Sequence, residues 1–144
     1  MTALVAKAVF DTNILVSGHF WKGPPYRCLM AAEAGLVSLV LSDSITSELR
    51  EKLTEKFEVP AAEADAIIDR LKARAEDVPA QGRSGWVKQD PDDDKFIDAA
   101  LAAGATIIVS GDRHLLALGA VEGIEILTAR QFLDRLAEAS GGAP

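Results

Sequence analysis

The sequence is poor in cysteine, in long apolar runs and in positive charge, and each shortage excludes a kind of protein. Its 144 residues include one cysteine, Cys28, so the chain cannot form an internal disulfide. No second thiol or histidine lies near it at the spacing of a zinc or redox site, and we expect a small apolar residue packed inside a helix. No apolar run approaches the roughly 20 residues of a membrane span. The N-terminal residues also lack the charged and apolar regions of a secretory signal, which predicts a cytoplasmic protein with no membrane partner.

Lysine and arginine number 15 against 22 aspartates and glutamates, which gives a formal net charge of −7. Proteins that bind nucleic acid without sequence preference normally do so through Lys and Arg side chains that displace counterions. The composition therefore argues against a generally basic binding surface. Metal ions bound by clustered acids would change this balance, because two divalent cations add +4 to the −7 and leave about −3.

Motifs for several common phosphate and metal chemistries are missing. The glycine-rich loop that cradles phosphates in P-loop enzymes is absent. The acidic run at residues 90–94 resembles a calcium loop only superficially, because Lys95 replaces the required glycine and the closing glutamate is missing. No histidine pair is available to act as general base and general acid in ribonuclease chemistry without a metal.

What the sequence does contain is an alternation of short β-rich apolar runs and amphipathic segments. The apolar runs predict strands at residues 5–10, 37–41, 106–109 and 124–127. Helices are predicted at residues 24–34, from caps at 42–44 through 57, from 60 through at least 71, and at 92–103, 113–118 and 130–139. We predict one domain over residues 1–139, an irregular stretch at 78–90, and a flexible tail at 140–144.

Nearly all-apolar strands separated by helices are typical of parallel sheets covered on both faces. The sequence therefore predicts an α/β fold, a three-layer α/β/α sandwich with a central, mainly parallel sheet. In such sheets the functional crevice lies outside the carboxyl ends of the strands.

Acidic residues follow the predicted strands where this crevice would lie. Asp11 directly follows the first strand, and Asp112 lies just beyond the third. Glu48 lies beside the apolar stripe of the helix after the second strand. Asp94 and Asp98 are four residues apart and share one face of a later helix. All five can point towards one place.

Some acids near helix starts have a simpler interpretation. Asp43 and Asp92 are interpreted as residues that cap a helix or favour its dipole. Asp11 is different because the residues after it are strongly apolar, and a buried carboxylate is costly unless a cation or hydrogen-bond donors compensate it. Oxygen ligands without cysteine or paired histidines indicate Mg²⁺ or Mn²⁺ rather than zinc.

Four segments together carry a family resemblance: Asp11-Thr12-Asn13, Ser47-Glu48-Leu49, residues 90–100 and residues 108–112. In order, spacing and context they resemble the PIN-domain family over nearly the whole chain. The chain is most similar to the small stand-alone branch of VapC-like ribonucleases, the toxins of toxin–antitoxin pairs. Other PIN domains act in RNA maturation and quality control.

The resemblance implies a metal-dependent ribonuclease that binds one or two Mg²⁺ or Mn²⁺ ions. The implied catalytic and metal-binding acids are Asp11, Glu48, Asp94 and Asp112. Supporting positions are Asn13, Ser110 and Asp98. An RNA substrate and an antitoxin partner are implied as well, and we expect a homodimer or higher oligomer with a tryptophan in an interface.

Possible substrate contacts are Trp21 and Lys22, in a segment (residues 19–23) interpreted as a loop leaving the first strand. They offer an aromatic face and a cation for an unpaired base, although packing is the alternative for Trp21 and for Trp86. His114, two residues after Asp112, is interpreted as solvent-facing or in contact with substrate. Basic residues such as Lys52 are interpreted as a solvated helix face that could guide phosphate.

Two other kinds of function stay open. An aspartyl-phosphate receiver or phosphatase also clusters acids at sheet ends, but Asn13 stands where such a phosphatase needs a second aspartate, and residues 127–129 offer no receiver lysine. A PIN-like scaffold that binds RNA or protein without cutting is the non-enzymatic alternative.

Overall fold

The computed structural model describes residues 6–79 and 91–139. Within them six strands form one sheet: β1 (Lys7–Phe10), β2 (Ser38–Ser42), β3 (Ala75–Val78), β4 (Ile107–Val109), β5 (Ala120–Val121) and β6 (Ile124–Leu127). Their order is β3-β2-β1-β4-β6-β5. All neighbouring strands are parallel except β5 and β6.

Helices connect the strands and flank the sheet. They are α1 (Thr12–Phe20), α2 (Pro24–Glu33), α3 (Asp43–Glu51), α4 (Ala61–Lys72), α5 (Asp94–Ala103), α6 (Arg113–Leu116) and α7 (Ala129–Ala139). A π-helical segment, Lys52–Lys56, continues α3, and a 3₁₀ turn, Pro91–Asp93, precedes α5. In the described parts of the chain, no helix has both the length and the apolar character needed to cross a membrane.

The central strands are buried because their sequences are almost entirely apolar. In β1, Ala8, Val9 and Phe10 are fully buried, and Phe10 packs edge-on against Phe132 of α7 with ring centroids 5.7 Å apart. Helix α5 packs against β1, β2, β3 and β4. This is the three-layer α/β/α sandwich with a mainly parallel sheet that the sequence predicts.

The register of the two central strands determines where the functional crevice lies. Phe10 of β1 pairs with Val109 of β4, and the Asp11 backbone N–H donates a 2.9 Å hydrogen bond to the Val109 carbonyl. The residues that follow the two strands, Asp11 and Ser110, therefore meet at one edge of the sheet.

All four predicted strands are present, with β1 described from Lys7 and β2 beginning at Ser38. The six predicted helices are present with ends shifted by one or a few residues. Ser42 caps α3 by accepting a 3.3 Å hydrogen bond from the Ile45 backbone N–H, and Asp43 lies in the first turn. Strands β3 and β5 are additional, and β3 shows that the predicted irregular stretch begins after Val78. The rest of that stretch and the C-terminal tail, residues 140–144, lie outside the described residues.

Helix α1 corrects the interpretation of residues 19–23 as a loop leaving the first strand, because His19 and Phe20 are helical. The helix is capped by Asp11 and buries Ile14, Leu15, Val16 and Gly18. Apolar residues on most of its faces leave no amphipathic period for the sequence to reveal.

Candidate metal-binding cleft

A small cleft of about 130 Å³ opens at the carboxyl ends of β1 and β4. Its acidic lining residues are Asp11, Glu48, Asp92, Asp93 and Asp112. Thr12, Asn13, Lys52 and Phe96 complete the lining. Acids distant in sequence therefore converge where parallel strands end, as the sequence predicts.

Asp11 lies at the bottom of the cleft, with 3% of its surface exposed. Its Oδ1 accepts a 2.9 Å hydrogen bond from the Ile14 backbone N–H, which caps α1, and its Oδ2 accepts one from the Ser110 hydroxyl. Burial raises the pKa of Asp11, although the Ser110 hydroxyl, backbone N–H groups and the charge of Lys52 oppose this rise. Burial therefore outweighs these donors, and a cation close to the carboxylate would favour its charged form.

Glu48 reaches the cleft from α3 and is held by two side chains. Lys95 Nζ donates a 2.8 Å hydrogen bond to its Oε2, and the Thr12 hydroxyl donates to its Oε1. Burial favours a higher pKa for Glu48, but the hydrogen bonds from Lys95 and Thr12 and the charges of Lys95 and Lys52 outweigh it, so the pKa is lowered. Glu48 is therefore a carboxylate already paired with a cation.

Asp112 follows β4 and caps the short helix α6. Its Oδ1 accepts hydrogen bonds from the backbone N–H groups of His114 (2.7 Å) and Leu115 (3.3 Å). Its own backbone N–H donates to Ser110 Oγ at 2.9 Å. Ser110 thus links Asp11 to Asp112.

The acids around the start of α5 occupy different places from those expected. Asp92 and Asp93 line the cleft, whereas Asp94 is buried at the first position of α5, 2% exposed, and is not among the lining residues. Asp98 lies one turn later in the same helix and is partly buried. Asp92, interpreted as a helix-start residue, precedes the helix in the 3₁₀ turn.

Two lysines of the cleft were not predicted as site residues. Lys52 Nζ donates a 3.0 Å hydrogen bond to Asn13 Oδ1, and Lys95 contacts Glu48. Lys52 follows Glu48 by four residues, the spacing of neighbours on one helix face, which is the signal that could have identified it. Lys95 gives no comparable signal because 47 residues separate it from Glu48.

The predicted substrate contacts lie in two places. His114 is close to the cleft, with its Nδ1 3.9 Å from Asp112 Oδ1. Trp21 and Lys22 follow the far end of α1, about 14 Å along the helix from Thr12. Trp86 lies outside the described residues.

The donor set suits Mg²⁺ or Mn²⁺ in kind, because it consists of carboxylate and hydroxyl oxygens around a buried acid. Among residues 6–79 and 91–139, no three acidic, histidine or cysteine side chains are placed to hold a metal ion as they stand. Lys95 holds Glu48, Ser110 holds Asp11, and backbone N–H groups hold Asp112. The carboxylates fit a hard cation by their chemistry, and each of them accepts hydrogen bonds from the chain.

A larger apolar groove of about 560 Å³ lies between α1, α2 and α4, and its lining does not include the cleft acids. Leu15, Leu29, Ile67 and Leu71 are among its apolar residues, and Glu63, Arg70 and Arg74 also line it. The apolar groove and the acidic cleft are therefore distinct.

Comparison with known proteins identifies the family of the chain. The family model described as PIN domain matches residues 7–114. No curated protein sequence matches the chain significantly.

Several solved structures share the fold at low sequence identity. VapBC2 from Rickettsia felis, bound to a DNA fragment from their promoter, has 14% identity and a TM-score of 0.58 over 83% of this chain and 96% of that chain. PAE2754 from Pyrobaculum aerophilum has 16% identity and a TM-score of 0.60 over 93% and 90%. The RRP44 PIN domain of T. brucei has 18% identity and a TM-score of 0.53 over 96% and 84%.

Proposed function

This chain belongs to the PIN domain family, and from this premise we propose that it is a divalent-metal-dependent endoribonuclease that cuts RNA at the acidic cleft. PIN domains are generally nucleases, and PIN nucleases generally use divalent metals. One observation carries the proposal. Asp11 after β1, Glu48 in α3 and Asp112 after β4 converge on one cleft. Asp92 and Asp93, from the 3₁₀ turn before α5, line the same cleft.

We propose Asp11, Glu48, Asp94 and Asp112 as the residues that hold one or two metal ions, Mg²⁺ or Mn²⁺. Such an ion supplies a bound water of lowered pKa and neutralises charge on the phosphate. The chain's own contribution is to orient the oxygens. The Ser110 hydroxyl fixes one oxygen of Asp11, and the Thr12 hydroxyl fixes one oxygen of Glu48. Attack by water should leave a 5′-phosphate and a 3′-hydroxyl.

The proposed biological role is that of the toxin in a toxin–antitoxin pair. Two observations support it: the similarity to the VapBC2 structure and the apolar groove between α1, α2 and α4. A groove lined by leucine and isoleucine with charged residues at its margin suits an amphipathic helix from a partner protein. We therefore propose that a cognate antitoxin binds in this groove and suppresses cleavage.

The experiment that tests the activity uses a labelled, partly single-stranded RNA pool with Mg²⁺, Mn²⁺ or EDTA. Wild type is compared with Asp11→Asn. Three further variants, Asp92→Asn, Asp93→Asn and Asp94→Asn, identify which acid at or just before the start of α5 the reaction needs. The matched control is Glu125→Gln on β6, an exposed acid paired with Arg135 at 2.6 Å. We expect metal-dependent cutting that Asp11→Asn abolishes and Glu125→Gln retains. If wild type is as inactive as the variants with every metal, the proposal is overturned.

The second candidate function is RNA or protein binding without cleavage. It is favoured by the internal contacts of the acids, since Lys95 and Ser110 satisfy Glu48 and Asp11 without a metal. Binding and RNA length, measured in Mg²⁺ and in EDTA, distinguish the two functions. A scaffold binds RNA equally well in both and leaves the length of the RNA unchanged.

A further inference from the structure

Three aromatic rings form an exposed cluster at the end of α1 that is distant from the acids. The Phe20 ring stacks on the Phe57 ring with centroids 5.0 Å apart and planes inclined by 25°. Trp21 lies beside both, 5.6 Å from Phe20 and 6.2 Å from Phe57. Trp21 is 58% exposed and Phe20 39% exposed. We call Phe20, Trp21 and Phe57 the aromatic cluster.

Two chain segments lead from the metal-binding cleft to this cluster, and they touch at both ends. Helix α1 begins at the cleft, and its exposed or half-exposed residues Asn13, Ser17 and Phe20 lie on one face at helical spacing. The π-helical segment begins at Lys52 in the cleft and ends at Lys56, directly before Phe57. At the cleft end Lys52 binds Asn13, and at the far end Phe57 stacks on Phe20.

We call the surface formed by these two segments, from Asn13 and Lys52 to the aromatic cluster, the strip. Its length suits a few nucleotides. Asn13 and Phe20 are seven residues apart in a helix, which places them about 10 Å from each other. At about 3.4 Å per nucleotide of a stacked strand, this is roughly three nucleotides.

Cations lie along the strip where a sugar–phosphate backbone would pass. Lys52 is in the cleft, and Lys56 lies with its Nζ 5.7 Å from the centre of the Phe57 ring. Lys22 follows Trp21 directly and lies 6.0 Å from the Tyr26 ring. Aromatic faces combined with lysines are the surface that single-stranded RNA uses, because bases stack on the rings while phosphates are drawn to the cations.

We propose that the aromatic cluster is a stacking site for an unpaired base of single-stranded RNA, about three nucleotides from the phosphate that is cut. The proposal rests on the proposed ribonuclease function and adds a binding site for one base of the substrate. Trp21 supplies the exposed ring face for the base, Phe20 and Phe57 hold that ring in place, and Lys56 contacts the strand between the cluster and the cleft. Double-stranded RNA does not fit this arrangement, because its bases are stacked on one another and their faces are not available.

The test measures RNA affinity directly, in EDTA so that no cutting occurs. The probe is a labelled, unstructured RNA of about 12 nucleotides, and binding is followed by fluorescence anisotropy. Trp21→Ala should raise the Kd about tenfold and Trp21→Phe by less than about threefold, because a phenyl ring keeps a stacking face. The matched control is Leu36→Ala, which removes another exposed apolar side chain just before β2, at the opposite end of the sheet strands. It should leave the Kd unchanged.

A spectroscopic measurement keeps the test independent of folding effects. The sequence has two tryptophans, so Trp86→Phe leaves Trp21 as the sole tryptophan. RNA of about 12 nucleotides should quench its emission, whereas a fully paired duplex of the same length should not. Circular dichroism of Trp21→Ala confirms that the variant is folded.

Failure of this proposal and failure of the ribonuclease proposal give different results. If wild type cuts RNA and Trp21→Ala leaves both the Kd and the quenching pattern at wild-type values, the stacking site is wrong while the ribonuclease stands. If wild type binds no single-stranded RNA, the stacking site is also wrong. If Trp21→Ala changes sedimentation from dimer to monomer with the RNA Kd unchanged, the cluster is an interface between protein chains. If Trp21→Ala is normally folded and binds single-stranded RNA about tenfold more weakly, the stacking site is confirmed.

Discussion

Lys95 Nζ lies 2.8 Å from Glu48 Oε2, in the cleft where a nuclease would place a metal ion. Both side chains are mostly buried, with 15% of Lys95 and 23% of Glu48 exposed. The ammonium group therefore neutralises a carboxylate that a metal ion would otherwise neutralise. Under the proposed function, a metal ion and Lys95 would compete for Glu48, and this competition would have a measurable consequence.

Replacement of Lys95 by methionine should destabilise the metal-free protein by about 1–3 kcal/mol, because it removes the charged donor of a mostly buried carboxylate and leaves only the Thr12 hydroxyl. Mg²⁺ should raise the melting temperature of Lys95→Met more than that of wild type, since the competing ammonium is gone. Thermal unfolding with and without Mg²⁺ measures both effects. Arg135→Met breaks an exposed ion pair and serves as control, with a loss below about 1 kcal/mol and no change in the Mg²⁺ response.

Asp11→Asn should separate activity from stability. Asparagine caps helices as well as aspartate does, so the hydrogen bond to Ile14 can be kept, and the burial cost of a charge is removed. We expect a melting temperature equal to or above that of wild type and no cleavage of RNA. A lower melting temperature by several degrees would show that the carboxylate stabilises the fold, contrary to its raised pKa.

The Cys28 thiol should be unreactive in the folded protein. Burial raises its pKa to about 11, and its Sγ lies 3.7 Å from the Ala129 carbonyl. At pH 8 only about one thiol in a thousand is then ionised, and the thiolate is the reactive form. Iodoacetamide should label the unfolded chain in urea within minutes and the native protein far more slowly.

The same pKa shift of Cys28 predicts a pH dependence of stability. The thiol is neutral when protonated, and its pKa is higher in the folded protein than its ordinary value of 9.0. The contribution of the neutral, buried thiol to the free energy of unfolding is therefore complete below about pH 9 and is lost as the pH rises towards 11. Urea unfolding of Cys28→Ala should show a smaller decline over that range than wild type, and equal declines would contradict the assignment.

Gly18→Ala should push α1 and α2 apart. A Cβ atom at this position would lie 2.5 Å from Leu29 Cδ1 and 3.0 Å from the Pro25 carbonyl oxygen. Although alanine favours helices, the clash should give a net loss of about 1–3 kcal/mol in the free energy of unfolding. Gly23→Ala is the matched control, because the nearest atom to its Cβ would be 3.9 Å away, and it should leave the melting temperature nearly unchanged.

Much of the fold was predictable because its strands are apolar and its acids follow them. Asp11 and Asp112 could be placed at one crevice from topology alone, since parallel strands end at one edge of the sheet. The cleft brings both of them together with Glu48. The assignment of Asp11, Glu48, Asp94 and Asp112 as metal ligands stays a prediction.

What the sequence did not reveal has identifiable physical causes. Helix α1 is buried on most of its surface, so its residues carry no amphipathic period. The 3₁₀ turn before α5 determines that Asp92 and Asp93, rather than Asp94, line the cleft, and a turn with a different rotation per residue would change which aspartates do so. The pairing of Lys95 with Glu48 depends on how two helices pack, which spacing along the chain does not encode.

The π-helical segment after α3 has one more consequence. A π-helical turn holds one residue more than an α-helical turn, so it amounts to a single-residue insertion in an otherwise regular helix. Phe57 donates its backbone N–H to the Lys52 carbonyl across this wider turn, so the two residues lie one above the other. Loss of a single codon within residues 52–56 would remove the inserted residue, and Phe57 would then reach the Lys52 carbonyl as the fourth residue after it, as in a regular α-helix. The chain on both sides of the turn would keep its place, so we expect the segment from the cleft to the aromatic cluster to tolerate a one-residue deletion that a regular helix would not.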